Sequence, residues 1–234
     1  METADPDFDA EAEMVEYYSR LAPRYESKKG VGVPPSEEYL AYVQRLLPFF
    51  TKDLAGRDVL EVACGPGTWT HRLAPFVNSI LAVDINESTL VEARKKSYPE
   101  GKVRFLAASA YTLDGVSGTF NAAFAKDWCS HIPKPKVREF LKVFHSKLQP
   151  GARVVLADSW FPNDTTRPKF SHIDADGNVY VWRKIPDAPD DRRWRVIKNC
   201  PTEADWRAHL EGGATDIEYQ VHGHDWRLAY TLRG

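Results

Sequence analysis

Two glycines, one aspartate and one histidine are the residues whose types and spacing could do chemistry. The apolar run Val59–Val62, with Glu61 inside it, leads through Ala63 and Cys64 into Gly65-Pro66-Gly67 and then Thr68-Trp69-Thr70. This is the pattern of a strand that turns sharply into a helix. Glycine has no Cβ, so the backbone at Gly65 and Gly67 can bend tightly and approach a ligand closely. The free N–H groups and positive dipole end of the following helix favour a negative group above Gly67. A second apolar run, Ile80-Leu81-Ala82-Val83, ends in Asp84, where an acid after a second parallel strand is placed to grip the two hydroxyls of a ribose. Strand, turn, helix, strand and acid in that order imply a nucleoside ligand. No Walker lysine follows the turn, and Thr68-Trp69-Thr70 replaces the third glycine of the dinucleotide fingerprint, so ATP and NAD suit it poorly.

His131 lies farther along. Phe120–Ala125 reads as a strand, and Lys126-Asp127-Trp128-Cys129-Ser130-His131-Ile132-Pro133 leaves its carboxyl end, the edge at which open α/β sheets bind ligands. A histidine with an unperturbed pKa of about 6.5 could take a proton from a substrate N–H or O–H. The alternative is that it only holds the loop by hydrogen bonds. Trp128, Trp160, Phe161, Tyr180 and Trp182 are candidates for an aromatic substrate pocket and equally for the core.

Two patterns suggest metal and are better read as turns. Asp174-Ala175-Asp176-Gly177 has its glycine too early for a calcium loop and no closing glutamate. His222 and His224 alternate along an extended chain but supply only two ligands. The three cysteines lack C-x-x-C spacing and fit a reducing compartment better than a disulfide framework. No metal is expected.

The turn Glu61-Val62-Ala63-Cys64-Gly65-Pro66-Gly67 resembles the first motif, E/D-x-G-x-G-x-G, of the class I S-adenosylmethionine-dependent methyltransferases, and Asp84 matches the acid of the second. Ala63 stands at the family's first glycine and fits there unless the position needs a positive φ. The resemblance implies an α/β fold: a Rossmann-like, mostly parallel seven-stranded sheet with an antiparallel last strand and helices on both faces. It also implies S-adenosylmethionine as cofactor, with Tyr17, Tyr25, Glu61, Ala63, Gly65, Gly67, Asp84, Ile85, Ser109, Ala110, Lys126 and Asp127 around it. Ser109 occupies a position where many members carry aspartate toward the adenine amino group, and a serine oxygen can still accept there without charge. His131 then becomes a candidate base at the reactive centre, with Tyr18, Trp128, Trp160 and Phe161 near the substrate. Tyrosine faces attract a sulfonium as they do other cations.

The expected function is methyl transfer to a nitrogen or oxygen of a small, aromatic or heteroaromatic metabolite. The same fold in some relatives instead closes the cofactor's aminobutyrate chain into a ring and releases methylthioadenosine, and a non-catalytic cofactor-binding module is a third reading. The loop after the fourth strand lacks the D/N-P-P-Y/F sequence of nucleic-acid base methyltransferases, whose stacking holds a flipped base.

Composition agrees. The chain has 234 residues, is 43% hydrophobic and carries a net charge of −2, which suits one globular domain with no polybasic field for a nucleic acid. No apolar run nears the roughly 18 residues that span a bilayer, so a cytoplasmic protein, monomer or homodimer, with a small-molecule substrate and no membrane partner is expected. The elements that must position the site follow in order. Residues 1–35 read as a tail and a lid helix carrying Met14, Tyr17, Tyr18 and Leu21 at helical spacing. Residues 36–234 read as the methyltransferase domain, with Ser36 capping a supporting helix. At about 159–199 the aromatic, turn-rich pattern marks an inserted hairpin. Ile217–Val221 and Trp226–Leu232, joined by a connection too short for a parallel crossover, must pair antiparallel.

Overall fold

A computed structural model describes residues 9–28, 36–159, 169–186 and 188–234. The first helix, α1 (Ala10–Leu21), begins at Asp9, whose carboxylate accepts from the backbone N–H groups of Glu11 and Ala12 at 3.0 and 3.1 Å and covers donors that a helix start leaves bare. A 3-10 turn at Ala22–Arg24 joins it to the short α2 (Tyr25–Lys28). Ser36 caps α3 (Glu37–Leu54) by accepting from Tyr39 N–H at 3.2 Å, as its sequence suggested.

The apolar runs then alternate with helices: β1 (Asp58–Val62), α4 (Thr68–Leu73), β2 (Ser79–Asp84), α5 (Glu87–Arg94), β3 (Val103–Ala107), β4 (Phe120–Lys126), α6 (Val137–Ser146) and β5 (Leu148–Ser159). After an inserted segment come α7 (Glu203–Leu210), β9 (Ala214–His222) and β10 (Asp225–Leu232). The main sheet has the order β3-β2-β1-β4-β5-β10-β9. Strands β1 to β5 pair in parallel, and β10 runs antiparallel between β5 and β9. This is the Rossmann-like sheet with a reversed last strand that the sequence predicts.

Period-two alternation divides the core between the faces. Leu60, Val62, Leu81 and Val83 pack with Phe140 and Phe144 of α6 and Trp206 and Leu210 of α7. Val59, Ile80 and Ala82 pack on the opposite face with Phe50 and Leu54 of α3, Leu73 of α4 and Leu90 of α5. Each fully buried Leu, Val or Phe contributes about 1.5–3 kcal/mol relative to exposure, so the rims of β1, β2 and β4 rest on a stiff platform.

The insertion is larger than a hairpin. β6 (Phe170–Ile173), β7 (Val179–Arg183) and β8 (Trp194–Ile197) form a separate three-stranded antiparallel sheet. The expected hairpin is β6 and β7, and the run Trp194–Ile197 supplies the third strand. The Asp174–Gly177 segment is the turn between β6 and β7: Asp174 accepts from Asn178 and Tyr180, at 2.7 to 3.1 Å. Helix α1 lies on this small sheet, with Met14, Tyr17 and Leu21 buried against Tyr180, Trp194, Val196 and Ile197. Glu16 adds a bidentate contact to Arg192 at 2.7 Å, and Glu13 accepts from Arg195 N–H at 2.5 Å.

Candidate active site

Above the carboxyl ends of β1, β2 and β4 lies a cavity of about 860 Å³, large enough for a cofactor and a small substrate together. Its floor is the turn between β1 and α4, where Cys64 N–H donates to the Val83 carbonyl at 3.0 Å and Gly67 N–H to the Cys64 carbonyl at 3.1 Å. Asp84 ties this turn to β2. One of its oxygens accepts from Gly65 N–H at 2.8 Å and the other from Asn86 N–H at 2.9 Å. Each carboxylate oxygen keeps a second lone pair for a ligand, so Asp84 both shapes the turn and faces the cavity. Burial pushes its carboxyl above the usual range, and the two N–H donors and the Thr89 side chain oppose that shift.

Glu61 is the electrostatic anomaly of the site. It is 2% exposed, lines the cavity, and its Oε2 is buried without a hydrogen-bond partner among the described residues. Burial, helped by the neighbouring charge of Asp84, drives its pKa up to about 8, although Thr70 opposes the rise. A buried carboxyl in that state is protonated at neutral pH and becomes a strong site for a cation once one arrives.

The two glycines of the turn do different work. Gly65 lines the cavity with a φ of 55°, and a Cβ there would meet nothing within 4 Å. Gly67, at φ 71°, faces inward: a Cβ would stand 2.7 Å from the Tyr98 hydroxyl and 3.0 Å from Ala93 Cβ. The expectation that Gly67 makes room for a ligand is therefore corrected, since what it makes room for is α5. The negative group expected at the start of α4 is one of the chain's own, Glu26 of α2, which accepts from the Thr68 hydroxyl at 2.9 Å and meets Lys96 at 3.0 Å. Ala63 sits at φ 52°, so its position does need the left-handed conformation, and the methyl costs about 1 kcal/mol there.

Tyr18, Tyr25, Ala63, Ile85, Ser109, Ala110, Lys126, Asp127, Trp128 and His131 all reach the cavity wall. Tyr17 does not: it is 1% exposed, packs on Trp194 at 5.7 Å between centroids, and has its hydroxyl pKa pushed up to about 12 by burial. Its helical neighbour Tyr18 takes the cavity side, and Tyr180 is likewise core. Trp160 and Phe161 lie outside the described residues. Ser109 accepts from Tyr111 N–H at 3.2 Å, so part of its accepting capacity is spent on its own turn. Lys126 is 1% exposed along its side chain and pairs with Asp127 and, at 3.0 Å, with Asp225. Asp127 itself is held at φ 62°, a conformation that non-glycine residues keep only where the surroundings impose it.

His131 is placed differently from the expectation of a solvent-titrating base. Its Nδ1 lies 2.6 Å from the Ile197 carbonyl and its Nε2 2.9 Å from the Tyr18 hydroxyl. Burial is the largest influence on it and nearby Lys198 the next, and together they bring the imidazole pKa down to about 3. A base with a step near 6.5 is thus corrected to a neutral imidazole with Tyr18 beside it. The loop around it is pinned from below: buried Asp158 accepts from Ser130 N–H at 2.8 Å and from Lys198 at 3.0 Å, and Asn199 N–H donates to the Ser130 carbonyl at 2.8 Å. Lys198 and Asn199 follow directly after β8, so the insertion sets the shape of the loop after β4.

Sequence reasoning missed the far wall. Tyr39 and Tyr42 of α3 and Trp69 of α4 line the cavity, although α3 reads from sequence as mere support. Tyr42 donates to Asp225 at 3.2 Å, and the Arg72 guanidinium lies 5.0 Å over Tyr39. The spacing of Tyr39 and Tyr42, one helical turn apart just after a cap, was the available signal. Tyr111, which sequence reasoning also passed over, lines the cavity and meets Trp128 edge to face at 5.8 Å. Among the described residues no cluster of three or more His, Cys, Asp or Glu could hold a metal, and no helix is long and apolar enough to cross a membrane.

The comparisons with known proteins agree with this geometry. A methyltransferase-domain family model matches residues 59–151, the segment that carries the turn, Asp84 and the loop of His131. Over that segment the chain is similar to methyltransferase domains. Among its relatives, a demethylmenaquinone methyltransferase of Lactococcus lactis is 30% identical over 115 residues, covering 47% of this chain and 45% of that one. A ubiquinone biosynthesis O-methyltransferase of Azotobacter vinelandii is 26% identical over 148 residues, covering 60% and 58%. The chain thus spans about half the length of the curated relatives it matches. The DhpI-SAM-HEP complex shares the fold over 97% of this chain and 99% of its own, at TM-score 0.72 and 20% identity. The PH0226 protein of Pyrococcus horikoshii does so over 85% and 92%, at TM-score 0.66 and 21% identity.

Proposed function

We propose that this protein binds S-adenosylmethionine and transfers its methyl group to an oxygen or nitrogen of a small aromatic or heteroaromatic molecule. The observation that carries the reading is the pair of acids on the cavity floor, Glu61 with its buried Oε2 lacking a hydrogen-bond partner among the described residues, and the turn-bound Asp84. A ligand that brings an ammonium group to one and a ribose to the other satisfies both, and S-adenosylmethionine has both groups. When bound, the cofactor supplies an electrophilic methyl on a sulfonium.

The chain's own residues do the rest. Glu61 holds a cationic group, Asp84 accepts from hydroxyls while bracing the turn, and Ile85, Ser109 and Ala110 form the wall beside them. Tyr18, Tyr39, Tyr42 and Trp128 give the remaining volume aromatic faces, which favour a planar substrate and a nearby cation. Methyl transfer needs alignment at roughly 3–3.5 Å more than it needs a strong base, in keeping with a neutral His131. The name of the ubiquinone biosynthesis O-methyltransferase among the relatives supports an oxygen as the kind of acceptor to test first.

The test is mass spectrometry of the protein incubated with S-adenosylmethionine, with and without a metabolite extract. S-adenosylhomocysteine together with an extract component that has gained a methyl group is the expected result. Methylthioadenosine without any substrate would replace methyl transfer by cyclisation of the cofactor. Unchanged cofactor in both samples would overturn the catalytic reading.

A further inference from the structure

The contacts of His131 fix what the cavity offers at that point. A carbonyl oxygen can only accept, so the 2.6 Å contact with Ile197 requires the imidazole proton on Nδ1. In the neutral ring Nε2 is then bare and can only accept, which makes the Tyr18 hydroxyl the donor across 2.9 Å. The hydroxyl hydrogen of Tyr18 is thereby turned toward His131, and toward any other group the phenol presents a lone pair.

Three separate parts of the chain build this device: α1 brings Tyr18, the loop after β4 brings His131, and the end of β8 brings the carbonyl. The Tyr18 ring is held edge-on by Tyr17 at 5.0 Å and by His131 at 5.4 Å, so the oxygen is fixed in position as well as in polarity. The groups facing the imidazole are Lys198 and Arg183, which disfavour its protonation, and Asp158 and the Ile197 carbonyl, which favour it. Burial decides the balance, and the imidazole stays neutral with its tautomer set at ordinary pH.

Resting on the methyltransferase reading above, we propose that Tyr18 is a specificity-determining residue that selects substrates presenting a hydrogen-bond donor, an O–H or N–H, where Tyr18 and His131 face the cavity. A molecule of the same shape with an ether oxygen or a bare ring nitrogen at that point would set lone pair against lone pair. Sites built to pair one polarity reject the opposite one more strongly than they reject a change of size.

The test has two arms. In the protein with 15N-labelled histidine, two-bond 1H–15N spectra without ligand should report His131 protonated on Nδ1 and not on Nε2 from about pH 5 to 8, with the Nε2 resonance shifted in Tyr18→Phe. In protein saturated with S-adenosylhomocysteine, NMR titration with phenol and with anisole should give phenol the tighter binding by about tenfold, the worth of one hydrogen bond. That ratio should fall to within about twofold in Tyr18→Phe. A proton on Nε2, equal binding of the two probes by the wild type, or a preference that survives in Tyr18→Phe would overturn the proposal. Failure of S-adenosylhomocysteine to bind would instead overturn the methyltransferase reading, while the ligand-free spectra still decide the polarity of Tyr18.

Discussion

The two ends of the cavity are built in opposite ways. At the end proposed for the cofactor, Glu61, Gly65 and Asp84 sit at the ends of adjacent parallel strands, within 24 residues of sequence, and backbone hydrogen bonds of the turn fix them. At the end proposed for the substrate, Tyr18, Tyr39, Tyr42, Trp128 and His131 come from two helices and a loop, and a separate three-stranded sheet braces the first helix and the loop. The first end is local and stiff. The second is assembled from distant pieces, so its specificity can change without disturbing the fold or the cofactor floor.

The largest effect should come from the cofactor end. Gly67→Val forces a branched side chain into a left-handed backbone and into Tyr98 and the body of α5, at a cost of roughly 3–5 kcal/mol by adding backbone strain to overpacking. A denaturant melt should register this as lost stability before any ligand is added. Unchanged stability together with lost cofactor binding would return Gly67 to the ligand's side of the turn. Asp84→Ala comes next: loss of its charged hydrogen bonds should weaken cofactor binding by about 1.5–3 kcal/mol, and loss of its two turn contacts should lower stability as well. A variant with full stability and weak binding would mean that Asp84 serves the ligand alone.

This contrast is also the contrast in legibility. The floor could be read because its chemistry is contiguous: Glu61, Gly65 and Asp84 are joined by a turn whose length the fold dictates. Tyr17 and Tyr18 could not be separated, since adjacent residues on an amphipathic helix differ only in which neighbour covers them, and that neighbour, Trp194, is far along the chain. His131 could be placed at the right edge of the sheet but not given its protonation state, because the burial and the Ile197 carbonyl that set it belong to the insertion. Ala63 was legible as a departure from the glycine pattern, while its cost needed the observed φ of 52°.

Two smaller effects sharpen the account. Glu61 is raised to about 8 in the folded protein, so between pH 6.5 and 8 the native state holds a proton that the unfolded chain has lost. Stability should therefore fall with rising pH there by up to about 1.4 kcal/mol per unit. Below 6.5, His131 and His145, lowered to about 3 and 4, act in the opposite sense, because the unfolded chain binds protons that the native rings refuse. Thermal melts against pH should thus peak near 6.5, and Glu61→Gln should flatten the alkaline side; an unchanged slope in that variant would remove Glu61 as the cause. Ala63→Gly should stabilise the protein by about 0.5–1 kcal/mol, since relief of the left-handed strain exceeds the added freedom of the unfolded chain. A lower melting temperature would show that the methyl packs usefully despite its φ.

The most direct test of the central claim is calorimetric titration of S-adenosylmethionine into the protein at pH 7, in two buffers of different ionisation enthalpy. One-to-one binding should be accompanied by release of most of a proton, as the incoming ammonium group converts Glu61 from carboxylic acid to carboxylate, and Glu61→Gln should abolish that release. Absence of binding, or binding whose heat is the same in both buffers, would contradict the assignment of Glu61 and its turn as the cofactor site.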